Sequence, residues 1–269
     1  MRSAEVRPAA VAGTFYPGFP EELAAEVGGM LADAGMSPAP VPKAIIAPHA
    51  GYMYSGAVAA AAYARLRPAA SGISRVVLLG PVHRVPVRGL ALPAATAFAT
   101  PLGTVPVDLD AVRQLAGLRQ VCVSADAHAL EHSLEVQLPF LQAVLDKFAV
   151  VPLAVGEASA EDVAEVLDRL WGGPETLIVV SSDLSHYLSY DDAQAVDRAT
   201  ARAILELRTN ISHEQACGGT PVNGLTLVAQ RHGLLPELVD LRNSGDTAGD
   251  RSRVVGYGAF AFVEPNRAH

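Results

Sequence analysis

Three histidines stand just beyond short apolar runs. A-I-I-A at 44–47 leads into Pro48-His49-Ala50-Gly51-Tyr52, R-V-V-L-L at 75–79 into Gly80-Pro81-Val82-His83, and L-I-V-V at 177–180 into Ser181-Ser182-Asp183-Leu184-Ser185-His186. Runs this short and continuous read as strands buried on both faces. In an open α/β sheet, ligands bind in the crevice beyond the carboxyl ends of the strands. If the three strands are parallel, His49, His83, Asp183 and His186 converge there from distant positions. Two neutral imidazoles with a third, anionic donor are a common set for iron, zinc or copper, with positions left for water or substrate. His49 and His83 are the ligand pair on this reading; the plainer alternative is a loop histidine bonded to nearby backbone.

Cys217 lies in A-C-G-G-T-P-V-N-G at 216–224, a glycine-rich turn leading into a helical pattern. A helix start or a nearby metal lowers a thiol pKa and favours the thiolate that ligands and nucleophiles need. Cys122, in V-C-V, reads instead as a small buried hydrophobe. Glu131 and His132 open the pattern E-H-S-L-E-V-Q-L-P-F, either as groups that fix a ligand's tautomer or move protons, or simply as helix-capping residues. His128, His213, His232 and His269 have polar or terminal surroundings and are assigned to the surface or to caps.

The elements that must position these residues alternate between strands and helices, which predicts a buried sheet covered by helices. Strands are expected at 44–47, 75–79, 150–154, 176–180 and 254–263. Helices are expected at 20–34, 56–67, 132–147, 160–171, 191–207 and 223–232. The whole chain, 1–269, reads as one domain. The Pro-rich segment 37–42 is too short for a domain linker and reads as a surface loop. The polar stretch 242–253 is a candidate loop over the site, and G-Y-G-A-F-A-F suits a strand near an edge.

Composition narrows the partners. Half of the 269 residues are hydrophobic and the formal net charge is −8, so the electrostatic footprint for nucleic acid is absent. Apolar stretches are broken by charge or proline before they reach the ~20 residues of a membrane span. Without the apolar run of a secretory signal near the start, a cytoplasmic location is expected. Two cysteines, 122 and 217, form no C-x-x-C pair and no disulfide framework.

The motifs A-P-H-A-G-Y at 47–52, L-G-P-V-H at 79–83, E-H-S-L-E-V-Q-L-P-F at 131–140, S-S-D-L-S-H at 181–186 and C-G-G-T-P-V-N-G at 217–224 together resemble the Memo family. In prokaryotes that family is also labelled AmmeMemoRadiSam system protein B. The resemblance runs in order from G-T-F-Y-P at 13–17 to G-Y-G-A-F at 256–260. It implies a single-domain α/β/α sandwich with a mostly parallel or mixed sheet, related to class III extradiol dioxygenases, which hold non-haem Fe(II) with two histidines and a glutamate. It implies His49, His83 and Cys217 as the metal ligands, iron(II) as the metal with copper or zinc as alternatives, and His186 with Asp183 at the acid/base position. A thiolate in place of the carboxylate makes the site softer and redox-active.

Three functions follow from this reading. One is a metal-dependent oxidoreductase in which His186 moves protons and Asp183 orients His186 or bound water, with Glu131 and His132 in support. Another is a hydrolase using zinc-activated water, or Cys217 as nucleophile with His186 and Asp183. A third is a non-catalytic peptide-binding module, such as the phosphotyrosine-peptide recognition associated with eukaryotic Memo-like proteins. The prokaryotic label also implies functional association with a radical S-adenosylmethionine protein and a small companion protein.

Overall fold

Apolar residues run without interruption through the central strands because helices cover both faces of the sheet they form. The computed structural model describes residues 5–35 and 39–265. His269 and part of the expected 37–42 loop lie outside the described residues. The strands are β1 (Val6–Arg7), β2 (Ala44–Ala47), β3 (Arg75–Pro81), β4 (Leu90–Leu92), β5 (Ala97–Thr100), β6 (Gly103–Pro106), β7 (Val121–Val123), β8 (Ala149–Val155), β9 (Thr176–Ser181), β10 (His186–Leu188), β11 (Leu235–Asn243) and β12 (Val254–Val263). The helices are α1 (Pro20–Asp33), α2 (Tyr52–Ala64), α3 (Leu109–Gln114), α4 (Ala125–Ala129), α5 (Leu138–Val144), α6 (Ala160–Arg169), α7 (Tyr190–Leu205) and α8 (Gly219–His232).

Among the described residues, nine strands form one mixed sheet in the order β10-β12-β2-β9-β3-β8-β4-β7, with β11 also paired to β12; β1, β5 and β6 form a small separate sheet. The centre is parallel: β2 with β9, β9 with β3, and β3 with β8. Antiparallel pairs flank it, β12 with β2 and β4 with β8. Successive residues of each central strand face opposite layers. Ile45, Val76, Leu78 and Val179 pack with Leu23, Val58, Tyr63 and Phe140 from α1, α2 and α5. Ile46, Val77, Leu79 and Val180 pack with Val163, Leu167, Val222 and Leu225 from α6 and α8. Burying each such side chain stabilises the fold by about 1.5–3 kcal/mol. The result is an α/β/α sandwich with a mixed sheet.

The differences from the sequence reading have local causes. The helix expected at 132–147 is a 3-10 turn at Glu135–Gln137 followed by α5, with Pro139 in the first turn of α5. Proline is tolerated there because no intrahelical partner is lost, so Glu131 and His132 sit on the loop before it. The helix expected from 56 starts at Tyr52, and that expected from 223 starts at Gly219, which places Cys217 two residues ahead of α8. The strand expected near an edge, β12, is one strand in from it, with β10 and β11 outside, and is buried along most of its length. Cys122 is exposed on β7, the last strand of the sheet, rather than buried.

Candidate metal centre

The parallel strands carry the site because their carboxyl ends lie side by side. His49 is two residues beyond β2, His83 two beyond β3 and Asp183 two beyond β9. The loop between α4 and α5 adds Glu131 and His132 from one side. Two glycines permit the close approach: a Cβ at Gly80 would lie 2.7 Å from Ser133 Oγ, and one at Gly218 would lie 2.7 Å from Ser182 Cβ. The second contact brings the start of α8, and Cys217 with it, against the end of β9.

His49, His83 and His132 each offer one ring nitrogen within 4.8 Å of the others. Their ring centroids are 5.2, 5.5 and 4.6 Å apart for the pairs 49–83, 49–132 and 83–132. Cys217 Sγ adjoins this group at 3.3 Å from His49 Nε2.

Hydrogen bonds decide which nitrogens carry protons. Ser181 Oγ donates its only proton to Ser133 O at 2.6 Å and accepts from Gln137 Nε2 at 2.8 Å. Its remaining lone pair therefore accepts from His49 Nδ1 at 2.9 Å, so Nδ1 is protonated and Nε2 carries the lone pair, which faces the Cys217 thiol at 3.3 Å. Glu131 Oε1 accepts from His83 Nδ1 at 2.8 Å, which leaves His83 in the same tautomer. The same oxygen lies 3.4 Å from His132 Nδ1. Glu131 Oε2 takes the His83 backbone N–H at 2.6 Å.

The electrostatics agree with this assignment. Burial, and then the charges of His83 and His132, push His49 well below its ordinary value. Burial also lowers His132. Burial pushes the Glu131 carboxyl up, but the hydrogen bond and charge of His83 and the N–H donors of Ser133 and His83 outweigh it and hold Glu131 at about 2. A His49 and a His132 held in the neutral form, beside an ionised Glu131, suit a cation.

Asp183 is buried, and its Oδ1 accepts from the His49 backbone N–H at 2.7 Å. It thus fixes the main chain of His49; the group that orients His186 is the Leu184 carbonyl, which accepts from His186 Nδ1 at 2.8 Å. The expected Cys217–His186–Asp183 relay does not form, since the Cys217 sulfur faces His49 and the Asp183 carbonyl. Burial and the Asp183 charge push the Cys217 thiol up to about 12, against the lowering expected from a helix start.

A cavity of about 700 Å³ opens beside this group, bordered by His83, His186 and Cys217 together with Tyr187, Leu188, Val196 and His213. His213, assigned from sequence to the surface, is exposed but borders this cavity; its Nδ1 lies 3.3 Å from Cys217 O. His128 is buried rather than superficial, with Nε2 donating to Ala91 O at 2.8 Å. His232 is at the end of α8, stacked on Trp171 at 3.7 Å and paired with Asp168. Sequence reasoning passed over Ser181 and Gln137, although both lie inside the motifs, and over Phe15, whose ring is 4.8 Å from that of His132. The 242–253 segment meets the rim through Arg253, 5.2 Å over the Tyr187 ring; its Asp246 and Arg251 engage Tyr190.

Residues 7–261 match the family model described as Memo-like protein. A MEMO1 family protein of Methanopyrus kandleri is 39% identical, covering 95% of this chain and 98% of its own. One from Aquifex aeolicus is 35% identical, covering 96% and 99%. An uncharacterized protein from Escherichia coli K12, known as a crystal structure, is more distant, with a TM-score of 0.49 and 14% identity over 80% of this chain and 98% of that one. Among the described residues no helix is long and apolar enough to cross a membrane.

Proposed function

The chain belongs to the Memo family, and on that premise we propose that it is a metal-dependent oxidoreductase with iron(II) held by His49, His83 and Cys217. His132 stands beside them as a further imidazole donor. The observation that carries the reading is the convergence of three ring nitrogens within 4.8 Å, two of the rings having their Nδ1 protons committed to Ser181 and Glu131. The donor set fits a transition metal: free imidazole lone pairs, a neighbouring thiol and a buried carboxylate behind two of the rings. Copper and zinc accept the same donors. A redox-active ion there would supply positions at which O₂ and a substrate are held while electrons pass between them.

The protein's own groups set the rest. Ser181 and Glu131 lock the tautomers, Asp183 holds the His49 main chain, and Gly218 lets Cys217 reach the group. With its Nδ1 proton bonded to Leu184 O, His186 has Nε2 free to accept a proton from a molecule in the cavity.

Metal analysis after anaerobic purification tests the proposal, together with O₂ uptake in the presence of thiols or catechols. His49→Ala and His83→Ala lose the metal and the uptake, and comparison of Cys217→Ser with His132→Ala separates the third donor. A wild-type protein that takes up no iron, copper or zinc, with His49→Ala indistinguishable from it, refutes the proposal.

A further inference from the structure

Among the described residues, two that are not glycine adopt left-handed backbone, Tyr187 at φ 60° and Leu207 at φ 53°. Leu207 packs against the core. Tyr187 gains no such burial, being 63% exposed. A side chain with a Cβ is disfavoured at this φ, and glycine is the residue that folding alone would choose, as at Gly233 with φ 68°. Strain kept by an exposed aromatic points to function rather than stability.

The backbone around Tyr187 shows what the strain achieves. In the β10–β12 pair, His186 is opposite Val255 and Leu188 opposite Val254, so Tyr187 is an inserted residue. In a regular strand, neighbouring side chains would alternate between faces. The insertion breaks the alternation, and His186, Tyr187 and Leu188 all border the same cavity. The ring stands at 70° to His186 with centroids 5.7 Å apart, and the Arg253 guanidinium covers it at 5.2 Å. The nearby apolar wall consists of Leu188 and Val196.

We infer that Tyr187 is a recognition residue: its ring, braced by Arg253, stacks against a flat, uncharged, unsaturated ring in the molecule that enters the cavity and presents that ring's polar substituent to His186. The inference rests on the proposed function only in taking this cavity as the substrate's place.

Phenol and cyclohexanol carry the same hydroxyl on a flat and a puckered ring, so ligand-observed NMR titration of the full chain with each isolates the stacking. Wild type binds phenol about fivefold more tightly than cyclohexanol, the size expected of one aromatic pair. Tyr187→Phe retains that preference, and Tyr187→Leu reduces it to within about twofold. Tyr187→Gly also loses the preference while melting about 2 °C above Tyr187→Ala, because glycine relieves the backbone. No phenol binding by wild type at millimolar concentration, no preference, or a preference kept in both Tyr187→Leu and Tyr187→Gly overturns the inference. A glycine variant no more stable than the alanine variant overturns its strain argument. Metal content of His49→Ala is read separately: if that variant keeps its metal while the ring preference depends on Tyr187, the metal reading fails and the recognition role stands.

Discussion

Glu135 is the point at which one substitution should most clearly reveal how the site is supported. Its carboxylate is fully buried. It forms an ion pair with Arg7 and accepts from Tyr16 Oη at 2.5 Å, Ala10 N at 2.8 Å and Val11 N at 3.0 Å. Arg7 in turn donates to the carbonyls of His128 at 2.9 Å and Glu131 at 2.7 Å. The pair therefore ties the segment bearing Phe15 to the loop bearing Glu131 and His132. Glu135→Gln keeps the shape but leaves a neutral amide, with a single acceptor oxygen, facing donors that two anionic oxygens had satisfied. Removing one member of a buried pair costs about 3–5 kcal/mol, because the other charge is left uncompensated. Urea unfolding at neutral pH should show a loss of that size with little change in slope. In the double variant with Arg7→Met the loss should fall short of the sum of the single losses by about 1–3 kcal/mol, since the residues share one network. A loss under about 1 kcal/mol for Glu135→Gln, or strict additivity, would refute the argument that this pair holds the loop.

Three further outcomes follow from the geometry. Glu131→Gln removes the negative charge behind His83 and one of the two oxygens that accept from its ring and main chain, and metal titration against a competing chelator should show affinity reduced about 10–100-fold; an unchanged affinity contradicts the assigned support role. In metal-free protein at pH 8, peptide mapping after iodoacetamide should find exposed Cys122 labelled well before Cys217, whose thiol is pushed up to about 12; equal rates would show that the thiol is not suppressed. Burial lowers His128 from 6.5 to about 4. The unfolded chain therefore takes up this proton first, and as pH falls from about 6.5 to 4 the fold loses about 3 kcal/mol on this account. His128→Gln should flatten that acid limb in urea unfolding measured across the range, and an unaltered slope would assign the acid loss to other groups.

Some of this was legible because strand physics is local. Continuous apolar runs marked β2, β3, β8, β9 and β12, and chemistry-bearing residues directly followed three of them. Other features were not local. Pro139 was visible, but whether it kinked a long helix or opened a short one depended on the packing of α5 against α1 and α2. V-C-V looked buried because strand composition does not distinguish a central strand from an edge strand, and β7 is at an edge. His213 looked superficial because no local pattern shows which cavity a loop will border.

Apolar patterning and motifs are enough to mark an α/β chain with His49, His83 and Asp183 at strand ends and Cys217 in a glycine turn. Long-range packing is what joins His132 to the first two histidines, sets their tautomers through Ser181 and Glu131, and bonds Asp183 to the His49 main chain. The physical reason is that strand periodicity acts between neighbours in the chain. Proton positions and pKa values depend instead on which groups meet across more than a hundred residues, as Ser181 and His49 do at 2.9 Å.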